Sequence, residues 1–573
     1  MKETFNLPTE TATDEMPDLE SSGKSSYSMT KNMSCFPRLI ELINPYFSRG
    51  VKLTLLVLWH AYLVVAGIHD FNGAAPIIYF TAFCWVCYLL NLFAKTAIYS
   101  RCSSQFAIKF EELVTNIRVV SVGSYIAITL AILAFIVIEA LDDLSRLRGF
   151  CGYVFFILFM FICSNNRGKI NWRIVASCFI MHSIVAITIM RWTTGKWFFR
   201  KFSELIVQFL GYAQQGAAFV YGFIATPPNI CNLNSVFIFT ALQTLIYFGA
   251  IVAVLFYFGA IQVVLMKLAW IMRILIGTTP VESLNAWACT FLGMTEGPLI
   301  IAPYIARLTD SELHAIITSG FSCIAGTLFA AYTQLGACPE YLLSASLMSA
   351  PCSLGCSKIM FPETEESKIS EEEFDVEHEN KSGLIETLSN GAQSMVVVVF
   401  AIGANLVAVM GLLALLDDVI EYLGDRVGIY GLSFQLIIGY IFFPLSYLMG
   451  VTDSVDETLL VAELMGTKTA VNEFVAYKRL GELQNDSRLS PRAAMIATYA
   501  LCGFSNIGST GMQIEFLGTL APKIKPRVAG MVFRALCAGA IACFMNATIA
   551  GILVENPQLC STSSNNSTCF NIP

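Results

Sequence analysis

Two glutamates stand in surroundings where a carboxylate is costly. Glu296 lies in Phe291-Leu292-Gly293-Met294-Thr295-Glu296-Gly297-Pro298-Leu299, and Glu473 in Ala470-Val471-Asn472-Glu473-Phe474-Val475-Ala476-Tyr477. An ionisable side chain in a membrane segment is a functional candidate by default. Two carboxylates offer strong acceptors to hydroxyl or amine donors. Asn506 and Ser509, in Cys502-Gly503-Phe504-Ser505-Asn506-Ile507-Gly508-Ser509, add an amide and a hydroxyl. Thr295 adds a second hydroxyl, and Phe504 a flat apolar face. Neither glutamate segment contains Arg or Lys, which disfavours an anionic substrate. A neutral polyhydroxyl compound with an aromatic part fits these groups best.

The elements that position these residues must be membrane elements. Of 573 residues, 55% are hydrophobic and only 13% charged, against about a quarter charged in soluble domains. The mean hydropathy is +0.64. This composition excludes a soluble enzyme, and the net charge of -7 gives no basic surface for nucleic acid. Charge-free runs at 74–94, 119–138, 149–166, 174–190, 205–266, 387–416, 427–452, 493–514 and 535–554, with a weaker run at 51–68, predict about ten or eleven crossings. Pro227 and Pro228 divide the long run. Its part 205–224 reads as interfacial and 234–258 as a span.

Glu282-Ser283 precedes Glu296, and Asp453-Ser454 precedes Glu473, in matching order. The apolar pieces around each glutamate are too short to span, which predicts two re-entrant hairpins with polar tips. A broken helix is expected after each hairpin, the first at Tyr332-Thr333-Gln334-Leu335-Gly336-Ala337-Cys338-Pro339 and the second at Cys502–Ser509. Irregular backbone at membrane depth is tolerated where it lines a cavity. Two such units in corresponding positions point to an all-α, inverted-repeat secondary transporter with its site where tips and breaks meet. The alternative, that the glutamates only glue helices together, does not explain why polar residues recur in both halves.

The expected organisation is a disordered cytoplasmic tail, 1–50; scaffold and interfacial helices, 51–280; hairpin and broken helix, 281–358; an acidic loop, 359–386; partly scaffold helices, 387–452; the second hairpin and broken helix, 453–534; a last span, 535–554; and an extracellular tail, 555–573. Lys95, Arg101, Lys109 and Arg118, and Arg167, Lys169 and Arg173, mark cytoplasmic links. The cluster Arg191, Lys196, Arg200 and Lys201 then falls outside, which an interfacial helix would accommodate. The tail carries sequons at Asn565 and Asn566, and Cys560 and Cys569 are close enough to close a loop. No Walker A sequence, HExxH, GxSxG, voltage-sensor helix or TVGYG-like filter is present. Gradient-driven transport remains, not catalysis.

These motifs resemble the concentrative nucleoside transporter family over residues from about 50 to 555. Its Asn-Glu-Phe-Val-Ala-Tyr stands whole at Asn472–Tyr477, and its Gly-Phe-Ala-Asn-Ile-Gly-Ser appears at Gly503–Ser509 with Ser505 for Ala. Glu282-Ser283, Thr295-Glu296, Leu347-Met348-Ser349-Ala350-Pro351 and Pro362-Glu363-Thr364-Glu365 also match. The resemblance implies a plasma-membrane homotrimer importing nucleosides by an elevator motion. It implies that Thr295 and Glu296 meet the base, that Glu473, Asn506 and Ser509 bond ribose, and that Phe504 packs nearby.

Two positions depart from the pattern. Met294 stands where many members carry Gln. Gly293-Met294 resembles purine-preferring animal members, so adenosine, inosine and guanosine are the expected substrates, with uridine an additional candidate. Cys289 stands where relatives use Asn to bind Na⁺, and a thiol is a poor ligand for a hard cation. Carbonyls near Leu292 and Leu335, with Gln334 as a replacement oxygen, complete the implied Na⁺ site. Na⁺ coupling is the leading reading. Coupling to protons through Glu296 or Glu473, or weakened coupling, is the alternative, and an uncoupled pore stands behind both.

Overall fold

The computed structural model describes residues 53–558, apart from 55, 72, 76, 80, 83–84, 86–121, 141–143, 228–235 and 370–382. The tail 1–50, the basic link 95–118, both sequons and the pair Cys560 and Cys569 lie outside the described residues. The chain divides into two compact units, Met1–Phe110 and Glu111–Pro573. In the first, the helix Leu56–His69 carries His60, which accepts a 2.8 Å bond from the Trp85 indole. That bond accounts for a histidine in an apolar run.

The second unit is all helix among the described residues. Among the described residues, six helical segments, some of them interrupted, are long and apolar enough to cross a bilayer: Ser145–Ile162, Trp172–Met190, Phe237–Tyr257, Asp310–Gln334, Leu384–Arg426 and Pro522–Leu553. The segment expected at the interface is part of a 29-residue helix, Thr193–Tyr221. Its charged side chains pair along one side, Lys201 with Glu204 at 2.7 Å. The run 387–416 belongs to one uninterrupted 43-residue helix, Leu384–Arg426. No proline interrupts it, so the helix continues past the apolar run through Asp417, Asp418, Glu421 and Asp425. It packs on Thr244–Tyr257, where Gly249 and Gly391 let the backbones approach closely.

One arrangement occurs twice. A two-armed hairpin (Pro280–Leu292, then Glu296–Leu299 and Ala302–Arg307) leads to a broken helix (Asp310–Ser322, then Gly326–Leu328 and Phe329–Gln334) and a buried continuous helix, Pro339–Met360. The second copy runs Val455–Ala470 and Glu473–Asn485, then Pro491–Leu501 and Ile507–Leu520, then Lys525–Leu553. The lead-ins that recur in sequence are helix caps. Thr279 and Glu282 form a capping box on the first arm. Ser454 caps the other hairpin by accepting from the Glu457 N–H. Glu282 also pairs with the buried Lys358 at 2.5 Å, which anchors the first hairpin to Pro339–Met360.

The first break differs from expectation. The helix stops at Ser322 and restarts at Gly326, whereas 335–338 links two separate helices. Gly, Cys and Pro at 336–339 mark a helix end as well as they mark a mid-membrane break, because both need freed backbone groups.

The two breaks touch. Gly503 has φ +151°, and a Cβ there would lie 2.6 Å from the Cys543 sulfur and 2.7 Å from the Phe321 carbonyl oxygen. Gly503→Ala is therefore expected to destabilise the protein by about 1–3 kcal/mol, the usual cost of a strained backbone. Gly511, on the following helix, faces open space, and Gly511→Ala should leave stability within about 0.5 kcal/mol. Thermal unfolding of the purified protein in detergent checks both.

Candidate functional site

A helix that ends inside apolar surroundings leaves its last carbonyls without partners. In the second broken helix these oxygens are taken by side chains. Tyr477 donates to Thr498 at 3.0 Å, Lys468 to Ala500 at 2.9 Å and the Cys543 thiol to Cys502 at 3.0 Å. In the first, Ser349 donates to the Ser322 carbonyl at 2.7 Å and Cys323 to Ser319 at 3.1 Å. Except for Cys323, which bonds back to its own helix, these donors come from neighbouring helices.

Glu473 is the first residue of its helix, behind the N-cap Asn472. A carboxylate there is favoured by the helix dipole. Both its oxygens are bonded: Tyr332 donates to Oε1 at 3.0 Å, and Asn506 Nδ2 donates to Oε2 at 3.0 Å. Asn506 is itself oriented, because its Oδ1 accepts from the Ser509 N–H at 2.8 Å and caps Ile507–Leu520. Phe474 and Tyr477 pack on the Tyr332 ring, with centroids 4.9 and 4.8 Å away. Three elements, Glu473–Asn485, Phe329–Gln334 and Ile507–Leu520, are thereby tied to one carboxylate.

The other tip is built the same way and left open. Glu296 opens the short helix Glu296–Leu299. The preceding Gly293, φ +98°, lets the tip lie on the first break, where a Cβ would meet Ala325 at 2.6 Å. Met294 is buried and Glu296 half-buried, while Thr295 is exposed. Glu296 Oε2 has no partner, and neither do Ser505 Oγ, Ser509 Oγ and Gln513 Oε1, all four buried. An unmade bond at a buried polar atom costs about 1–3 kcal/mol. Four such atoms lie at one hairpin tip and one broken helix. Phe504 is buried beside them at the second break.

Met294, Thr295 and Glu296 therefore share one tip, and Glu473, Phe504, Asn506 and Ser509 lie at the other tip and its broken helix. The expected ion-site residues separate. The Cys289 carbonyl accepts from Cys323 at 2.9 Å and from the Gly293 N–H at 3.0 Å, and Leu292 is buried at the end of the same arm. Gln334 ends the helix Phe329–Gln334, and the Leu335 carbonyl abuts Gly481 of the second hairpin. The element facing Cys289 is the break at Cys323, displaced from where the sequence pattern put it. Tyr332, Ser505 and Gln513 were not singled out as site residues. One signal would have located the first break: Gly320-Phe321-Ser322-Cys323-Ile324 repeats Gly503-Phe504-Ser505-Asn506-Ile507.

Comparison with known proteins gives consistent matches. The family model described as "Na+ dependent nucleoside transporter N-terminus" matches residues 151–224, "Nucleoside recognition" matches 238–338, and "Na+ dependent nucleoside transporter C-terminus" matches 341–551. Sodium/nucleoside cotransporter 2 of Rattus norvegicus is 35% identical over 527 residues, 88% of this chain and 77% of that protein. Solute carrier family 28 member 3 of Eptatretus stoutii is 37% identical over 444 residues, covering 75% of this chain and 64% of that protein. A structure of CNTnw in an inward-facing substrate-bound state superposes with a TM-score of 0.68 at 30% identity, covering 72% of this chain and 98% of the other.

Tyr332→Phe deletes one of the two donors to the buried Glu473 carboxylate and leaves the ring packing intact. It should lower stability by about 1–3 kcal/mol, read as a reduced melting temperature of the purified protein. Tyr247→Phe, a tilted ring contact elsewhere, serves as the control and should melt as the unsubstituted protein does.

Proposed function

The chain belongs to the Na+ dependent nucleoside transporter family, and from that premise we propose that it is a Na⁺-coupled nucleoside importer of the plasma membrane. It is a membrane protein with polar atoms gathered between two hairpins and two broken helices. The observation that carries the substrate reading is the contrast within that site. Glu473 is held by two donors, whereas Glu296, Ser505, Ser509 and Gln513 each keep a buried polar atom unmatched. Ribose hydroxyls suit the fixed carboxylate, Asn506 and Ser509. A base suits the tip of Met294, Thr295 and Glu296, with Phe504 as an apolar wall.

Met294 supports a preference for purine nucleosides (adenosine, inosine and guanosine), because its thioether gives a larger ring soft apolar contact without a hydrogen bond. The two hairpin-and-broken-helix units form the moving body of an elevator, and the long helix Leu384–Arg426 belongs to a scaffold that assembles as a homotrimer. In this reading the N-terminus is cytoplasmic, the C-terminal tail is extracellular, and Asn565 or Asn566 is a glycosylation site.

Na⁺ coupling is supported by the names of the relatives and by the backbone carbonyl at Leu292, which any side-chain substitution leaves in place. A second reading, proton coupling, has its own observation. The side chain at 289 is a thiol, a second thiol, Cys323, occupies the Cys289 carbonyl, and a hard cation prefers oxygen.

Cells expressing the chain should accumulate radiolabelled inosine in Na⁺ medium and not in choline medium, with little thymidine uptake. Uptake indifferent to Na⁺ but rising with acidity would establish the proton reading. No uptake of either nucleoside by protein at the cell surface would refute the transport assignment. Met294→Gln should raise the thymidine-to-inosine uptake ratio by about tenfold, the worth of one base-edge hydrogen bond. An unchanged ratio would make Met294 a packing residue.

A further inference from the structure

Gln513 sits four residues after Ser509 on Ile507–Leu520. Residues at this spacing share one helix face. Gln513 is only 1% exposed. Its Nε2 donates to the Met294 carbonyl at 3.1 Å, across to the tip of the first hairpin. Gly320 of the first broken helix leaves the space the amide fills: a Cβ there would lie 2.8 Å from Nε2 and 3.0 Å from the Met294 Cβ. With its nitrogen fixed by the tip, the amide is held in one orientation. Its Oε1 then has no partner.

A buried, oriented acceptor beside Met294 has a chemical consequence. The Met294 side chain cannot bond a base edge. The donor groups of a hypoxanthine or guanine ring (N1–H, and the exocyclic amine of guanine) still need an acceptor once water is removed. We propose that Gln513 is a specificity-determining residue of this transporter, its Oε1 accepting a hydrogen bond from an N–H on the edge of the nucleobase. The bond at Nε2 keeps the amide turned toward the base and couples base recognition to the position of the hairpin tip. The assignment rests on the nucleoside-transport reading above.

The test pairs a change in the substrate with a change in the protein. Inosine carries N1–H; purine riboside has the same ring skeleton and sugar but no N–H on that edge. The full-length chain should transport inosine with a Vmax/KM about tenfold above that for purine riboside. Gln513→Met, close in shape, should bring the ratio to about one by lowering inosine uptake alone. 1-Methylinosine, which keeps the ring and replaces N1–H with a methyl group, should be carried by the unsubstituted chain no better than purine riboside; it also serves if the Met variant fails to reach the surface. Equal losses for both nucleosides in Gln513→Met, or 1-methylinosine carried as well as inosine, would overturn the assignment and leave Gln513 as a tie to Met294. An unsubstituted chain that takes up neither nucleoside would instead overturn the transport reading.

Discussion

A helix that stops inside a bilayer exposes carbonyls and amides to a medium that offers them nothing, and each unmade bond costs several kcal/mol there. The whole second unit is organised around meeting that demand at two places. Thr498, Ala500 and Cys502 hand their oxygens to Tyr477, Lys468 and Cys543, and Ser322 hands its oxygen to Ser349. These donors come from a hairpin and from the two buried helices, Pro339–Met360 and Lys525–Leu553. A residue in either helix therefore supports the site without touching anything that would bind there. Asn546 illustrates this: it bonds His182 on one side and Ser349 on the other, at 2.9 and 2.8 Å, one step behind the Ser322 carbonyl.

The same economy separates the two glutamates. Both begin the second arm of a hairpin, where backbone N–H groups point outward and favour negative charge. Glu473 adds two side-chain donors and becomes a fixed part of the frame. Glu296 has a buried oxygen that nothing among the described residues meets. A site that supplied all its own partners would have no reason to admit a substrate. One that supplied none would not hold its shape in lipid. The second tip is bonded within the protein, and the first keeps an unmatched oxygen among the described residues.

Much of this was legible in the sequence, for physical reasons that can be named. A carboxylate among apolar pieces is rare because it is expensive, so Glu296 and Glu473 stood out between the charge-free runs. Asn506 and Ser509 followed from the glycines around them. The first break was not legible in the same way. Gly336 and Pro339 looked like an interruption, and they are one, but between two helices rather than within one. The break at Cys323 contains no proline and hides in an apolar stretch; only its likeness to Gly503–Ile507 betrays it. Tyr332 was unreadable as a partner of Glu473, since 141 residues separate them and an aromatic residue in a membrane segment has many plain uses. The uninterrupted length of Leu384–Arg426 was missed because hydropathy reports where lipid ends, not where a helix does.

That helix has a consequence for the membrane itself. At about 1.5 Å per residue its apolar run, 387–416, reaches about 45 Å, about one and a half times the hydrocarbon thickness. Its apolar surface is largely uncovered within the chain; Val397, Val407, Leu412 and Leu415 are all exposed. An apolar stretch longer than the bilayer is accommodated by tilting, bending or local thickening of the lipid, and where it tilts the angle follows the lipid thickness. A thinner bilayer lays it flatter and a sterol-rich one stands it up. Because Gly249 and Gly391 lock it to Thr244–Tyr257, that tilt is passed to a neighbouring span. The lipid around the protein thus becomes a mechanical input to the frame that carries the site.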